Sequence, residues 1–286
     1  MTASDVEKEA TAAQVVLECC LEGVESASQA RSGGAHRIEL CANLAQGGVT
    51  PSVGDIEGAL QAVKGSRTKV HVLIRPRPGD FVYSALEKQV MEADVLAAVR
   101  AGAHGVVIGA LVEDGSIDYD TTERLVRAAG ATTGASEATA ATDARSGSVS
   151  VTFHRAFDCC ITEPVVALET LVRLGIDRLL TSGREASAWE GRDVIARLVA
   201  ASNGRIAILP GAGITRENVK QLLFYTGARE VHVGSACQES IPVSILHQGA
   251  AMRLGFVAEG TSAAEPKQVT AHRVGEILTI LSEGRS

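Results

Sequence analysis

The chain of 286 residues is 45% hydrophobic and 21% charged, an ordinary composition for a globular protein able to bury a sizeable core. Its net charge of −7 and its 3% aromatic content exclude an electrostatically driven nucleic-acid or anionic-membrane surface and a base-stacking platform. No run approaches transmembrane length, and residues 1–14 are polar with no apolar leader, so a flexible N-terminus on a cytoplasmic protein is expected, its six cysteines being thiols, metal ligands or core residues.

From there the chain repeats one unit. An apolar strand over 15–20 precedes a helical pattern over 22–32 that stops at Gly33-Gly34. Strands over 36–41, 69–75 and 104–109 follow, leading in turn into helices from about Pro51, over 84–101 and from Asp118. Thr50-Pro51 suits a helix N-cap followed by proline at the first helical position. Further strands are predicted over 149–154, 177–181, 205–210 and 230–234, with helices from Pro164, near 187–201 and from Thr215 between them. Eight strand signals separated by helical patterns predict an α/β fold, a single-domain TIM-type (β/α)8 barrel over residues 15–286. An open doubly wound sheet shares this alternation, because strand order is not written in one sequence.

Two stretches break the pattern. Residues 131–148, rich in Ala, Thr, Ser and Gly, read as a flexible insertion between a helix and the next strand, on the face of a barrel opposite its catalytic loops. Residues 237–267 form an irregular segment after the eighth strand, on the catalytic face, before a last helix over about 269–281.

A period of two sorts each strand into two faces. Leu17 and Cys19 alternate with Glu18 and Cys20, Ile38 and Leu40 with Glu39 and Cys41, Val72 and Ile74 with His71 and Arg75, Phe153 with His154, and Val231 with His232. The aliphatic sets suit a surrounding helix layer, which leaves Glu18, Cys20, Glu39, Cys41, His71, Arg75, His154 and His232 facing the barrel axis. One reading is a buried network that fixes strand register, each charge paired; the other is a site, since catalytic groups of this fold gather at the C-terminal strand ends. Cys20 and Cys41, on strands about 4.8 Å apart, can reach one soft ion such as Cu(I) unless barrel shear staggers them.

Other loops suit an anion. Gly211 and Gly213 in the turn after the seventh strand, and Ser235 after the eighth, stand where barrels hold phosphate through backbone N–H groups. Arg75 and Arg155 add guanidinium groups that clamp a phosphate or carboxylate. In the run 151–158, His154 is a proton shuttle for neutral pH and Asp158 an orienting carboxylate, or else Arg155 and Asp158 form an ion pair that braces the loop.

Several blocks carry a resemblance: residues 18–20 with Val24-Glu25-Ser26-Ala27, the run 37–52, Ile74-Arg75-Pro76-Arg77 with Gly79-Asp80-Phe81-Val82-Tyr83-Ser84, the run 151–158, Leu180-Thr181-Ser182-Gly183, and residues 210–213. In this order they resemble the CutC copper homeostasis family, from about residue 15 to 236. The resemblance implies a (β/α)8-type barrel in the cytoplasm with a role in copper tolerance or Cu(I) binding, and the family's suspected copper-binding cysteines fall on Cys20 and Cys41. The departures are Cys19 where an aliphatic residue is usual, Ala212 in a turn that is usually all glycine, and the 131–148 insertion.

Two functional expectations follow. In the first, Cys20 and Cys41 bind Cu(I) as thiolates with Glu18, Glu39 or His71 close by. In the second, the chain is a barrel enzyme for a small phosphorylated or carboxylated metabolite, held by Arg75, Arg155, Gly211, Gly213 and Ser235, with Glu18, Glu39, His154 and Asp158 as the catalytic set. A barrel kept only as an interaction scaffold is a third. A homodimer is the expected assembly.

Overall fold

The computed structural model describes residues 14–130, 149–241 and 267–283. The rest of the N-terminal stretch, the 131–148 insertion and residues 242–266 of the irregular segment lie outside the described residues.

Eight parallel strands form the centre: β1 Val16–Glu22, β2 Arg37–Cys41, β3 Lys69–Leu73, β4 Gly105–Ile108, β5 Ser150–Phe153, β6 Arg178–Thr181, β7 Ala207–Pro210 and β8 Glu230–Val233. Their hydrogen-bonded order is β7-β6-β5-β4-β3-β2-β1-β8, and β8 returns beside β7, so the sheet is a nearly closed barrel and not an open doubly wound sheet. Helices α1 Val24–Ser32, α2 Val53–Val63, α3 Ala85–Ala101, α4 Tyr119–Ala128, α5 Pro164–Arg173, α6 Arg192–Ser202, α7 Val219–Thr226 and α8 Ala271–Ser282 surround it. Among the described residues no helix is long and apolar enough to cross a membrane.

The strand pleat divides the side chains as the alternation requires. Leu17, Leu21, Ile38, Leu40, Val70, Val72, Val106, Phe153 and Val231 join helix residues such as Ala27, Ile56, Met91, Val95 and Leu125 in the main apolar core between barrel and helices. Every residue of β2 is buried, on both faces. The inward set is fixed by register: Glu18 lies opposite Arg37 and His232, Cys20 opposite Glu39, and Glu39 opposite His71.

Element ends differ from the sequence reading for local reasons. β1 runs on to Glu22, and Gly23 at φ +79° turns the chain into α1. α2 starts at Val53 and is capped by Ser52, which accepts from the Asp55 N–H, because the Thr50 hydroxyl is taken by the Arg75 N–H at 2.9 Å. α7 starts only at Val219, after a turn in which Asn218 accepts from the Thr215 N–H. After β8 the chain makes a short 3-10 turn over Ser235–Cys237, and β9 Gln238–Ser240 pairs antiparallel with β10 Lys267–Val269.

Candidate metal centre

The lower interior is a chain of buried ions. Arg37 joins Glu18 through its Nε and Glu230 through its second terminal nitrogen at 2.6 Å; Arg178 joins Glu230 at 2.5 Å and reaches the Ser150 hydroxyl at 3.2 Å. Burial would raise the Glu18 and Glu230 carboxyls, yet Arg37, with His232 beside Glu18 and Arg178 beside Glu230, holds both below the usual carboxylate range. Burial, then Arg37 and Arg178, push His71 well down, so it is a neutral imidazole whose Nδ1 has no partner.

Level with Glu18 in the ladder, His232 links this chain to the thiols. Its Nδ1 lies 2.7 Å from Glu18 Oε1 and its Nε2 lies 3.6 Å from Glu39 Oε2. Burial alone would lower its pKa, but Glu39, Cys20 and Glu18 raise it well above the ordinary imidazole value, while burial raises Glu39 in turn. Cys20, Glu39 and His232 each offer one ligand atom, and these atoms all lie within 4.8 Å of one another.

Cys20 Sγ stands 3.9 Å from Cys41 Sγ, and the two sulfurs sit with Leu73 and Val107 in a small apolar cluster inside the barrel, with Leu44 against it. Cys41 is held up to about 11: its hydrogen bond with Cys20 works downward, but burial and Glu39 outweigh it. Cys20 is pushed well above its ordinary value by that same hydrogen bond and by burial. Both are therefore thiols at neutral pH.

The glycine turn after β2 covers this pair. Gly48 has φ +85°, and a Cβ on it would lie 2.9 Å from Leu73 Cδ2 and 3.6 Å from Cys41 Sγ, so only glycine lets the backbone come down onto the cluster. Arg75 fastens the turn. One of its terminal nitrogens donates to the carbonyls of Gly47 at 3.0 Å and Gly48 at 2.8 Å, the other to that of Gly79 at 2.7 Å.

The remaining predicted residues stand apart from the thiols. His154 is buried, its Nδ1 accepts from the Ala156 N–H at 3.1 Å and its Nε2 has no partner. Burial and then Arg75 press it down to about 3, so it stays neutral where a free imidazole shuttles protons. Asp158 binds Arg155 at 2.8 Å and accepts from the Thr181 hydroxyl at 2.5 Å and the Ser182 N–H at 3.0 Å, which ties the turn after β5 to that after β6. Gly211 packs where a Cβ would meet Leu180 at 2.6 Å, and Gly213 where it would meet Ser187 at 2.7 Å; the Gly213 carbonyl accepts from Asn218. Ala212 nonetheless adopts φ +76°. Ser235 opens the 3-10 turn after β8.

Strand neighbours make room for two rings. A Cβ at Gly105 of β4 would lie 2.5 Å from the His71 ring, and one at Gly109 2.3 Å from the His154 ring. The sequence reading assigned no role to Arg37, Arg178 or Glu230, which build the buried ion chain, although Arg37 shares the strand parity of Glu39 and Glu230 that of His232.

Comparison with known proteins bears on family and fold. The CutC family model matches residues 15–237. The human copper homeostasis protein cutC homolog is 45% identical over 217 residues, 76% of this chain and 72% of that protein; a CutC family protein of Vibrio vulnificus strain CMCP6 is 45% identical over 217 residues, 76% of this chain and 79% of its own. The crystal structure of CutC from Streptococcus agalactiae superposes with a TM-score of 0.68 at 33% identity, covering 78% of this chain and 99% of that one. By sequence, by barrel and by the matched stretch that contains Cys20, Glu39, Cys41 and His232, this chain belongs to the CutC family.

Proposed function

We propose that the chain is a cytoplasmic copper homeostasis protein that binds Cu(I) through the thiolates of Cys20 and Cys41. The observation that carries this is the 3.9 Å spacing of the two sulfurs inside the barrel, beside a carboxylate and an imidazole. With metal–sulfur bonds of about 2.3 Å, as at zinc thiolates, that spacing suits a bent S–metal–S arrangement open to a third donor. Glu39 and His232 lie beside Cys20, all three ligand atoms within 4.8 Å of one another, and are the donors nearest to hand on that side of the pair. Two soft sulfurs in an apolar pocket favour Cu(I) over hard cations, which require oxygen ligands and water.

The test is titration of the reduced protein with Cu(I) against a competing chelator. One ion per chain is expected, with tight binding lost in Cys20→Ser, Cys41→Ser; unchanged affinity in that variant would overturn the reading.

A second reading, an enzyme for a small phosphorylated or carboxylated metabolite, is favoured by unpaired cationic nitrogens: Arg75 Nε and Arg184 Nε and one terminal nitrogen of Arg184 are buried without partners. Because Arg75 fastens the glycine turn, the informative variant is Arg155→Ala, half exposed. Loss of a metabolite-induced thermal shift in that variant would support the enzyme.

A further inference from the structure

A second pair of thiols lies outside the barrel wall. Cys19, the neighbour of Cys20 on β1, points to the opposite face, and its Sγ is 3.4 Å from Sγ of Cys237 in the turn after β8; both residues are fully buried. β1 and β8 are ladder partners, with Cys19 opposite Val233, so the four residues after Val233 fold the second sulfur back onto the first.

We infer that Cys19 and Cys237 are a cross-linking site, a dithiol that closes to a cystine when the protein meets a small-molecule disulfide. The chemistry of the surroundings selects this over a second metal site. Both cysteines belong to the main apolar core, and among the described residues neither shares a group of three ligand atoms, whereas Cys20 shares one with Glu39 and His232. An ion held by two thiolates would leave a net charge there, whereas a cystine is neutral.

The exchange balances in two steps. One cysteine thiolate attacks a sulfur of the small disulfide, forms a mixed disulfide and expels one small thiolate. The other attacks the protein sulfur of that mixed disulfide, expels the second small thiolate and closes the S–S bond; the two electrons and two protons leave with two molecules of small thiol. Entry requires the turn to open. That turn is short, three residues, and is held by the Cys237 N–H donating to the Gly234 carbonyl at 3.1 Å and by the Thr270 N–H donating to the Cys237 carbonyl at 3.1 Å.

Closing the bond would fix β1 to the point where the chain leaves the barrel for β9 and to which it returns at Thr270, the cap of α8. The inference stands independently of copper.

The experiment incubates the full-length reduced protein with oxidised glutathione, traps free thiols by alkylation and maps bridges by mass spectrometry, with fragmentation between Cys19 and Cys20 to assign the partner of Cys237. A Cys19–Cys237 bridge is expected, with Tm raised by about 5 °C, reversed by dithiothreitol and absent in Cys19→Val, which keeps the apolar strand face. Recovery of both thiols alkylated, arrest as a glutathione adduct of Cys237, or a Cys20–Cys41 bridge alone would each overturn the proposal, whether or not the variant folds.

Discussion

Two layers of the same interior treat polarity in opposite ways. In the lower one, Arg37, Arg178, Glu18 and Glu230 leave no charge without an opposite partner. In the upper one, Cys20 and Cys41 sit 3.9 Å apart among Leu73, Val107 and Leu44, with the Glu39 carboxyl and His232 beside Cys20. A fully matched ion chain is already saturated and is best suited to fixing strand register; an under-coordinated pair of soft atoms still has capacity for a ligand. His232, bonded to the first layer and within reach of the second, is the hinge of the contrast.

The comparison breaks most sharply at Arg37. Arg37→Met leaves Glu18 with His232 alone and Glu230 with Arg178 alone, and urea unfolding is expected to show a loss of about 3 kcal/mol, because one partner of a buried ion pair is removed. Replacing the thiols should cost far less stability and abolish the proposed Cu(I) binding instead.

Proton release sharpens it next. With Cys41 held up to about 11 and Cys20 also raised, both sulfurs carry protons at neutral pH, and each must lose one to ligate. Raising the pH removes that competition, so Cu(I) affinity is expected to climb by about ten- to a hundredfold per pH unit between pH 6 and 8, measured by chelator competition at fixed free copper.

A smaller effect tests the hinge. His232→Gln leaves both sulfurs in place and is expected to weaken Cu(I) binding by roughly ten- to a hundredfold in the same assay. An unchanged affinity would move His232 wholly into the ion chain below.

The smallest expected change lies away from both layers. Asp158→Asn weakens the tie among Arg155, Thr181 and Ser182, and a stability loss of about 1–2 kcal/mol by thermal unfolding is expected, with metal affinity unaltered.

Much of the architecture was legible because a strand period of two and a repeated strand–helix unit act over long stretches. The inward placement of Glu18, Cys20, Glu39 and Cys41 followed from parity alone; register then set Cys20 opposite Glu39 and staggered Cys41 to a place opposite Glu22, with the sulfurs still 3.9 Å apart. The capping of α2 was not legible, since Thr50 and Ser52 are equally good caps locally and only the distant Arg75 N–H decides between them. The same limit applied to Arg75. Its position at a strand end suggested an anion clamp, but which carbonyls it meets depends on how the glycine turn after β2 folds. The contact between Cys19 and Cys237 spans 218 positions and no local pattern announces it.

The two imidazoles that fill the space above Gly105 and Gly109 bind the composition of β3, β4 and β5 together. A methyl group at Gly105 would evict the His71 ring, and one at Gly109 the His154 ring, so these strands can drift only in concert. Sequence change here should be inherited as glycine–histidine couples, with single replacements at β4 punished more heavily than the loss of the ring and the gain of the methyl made at once.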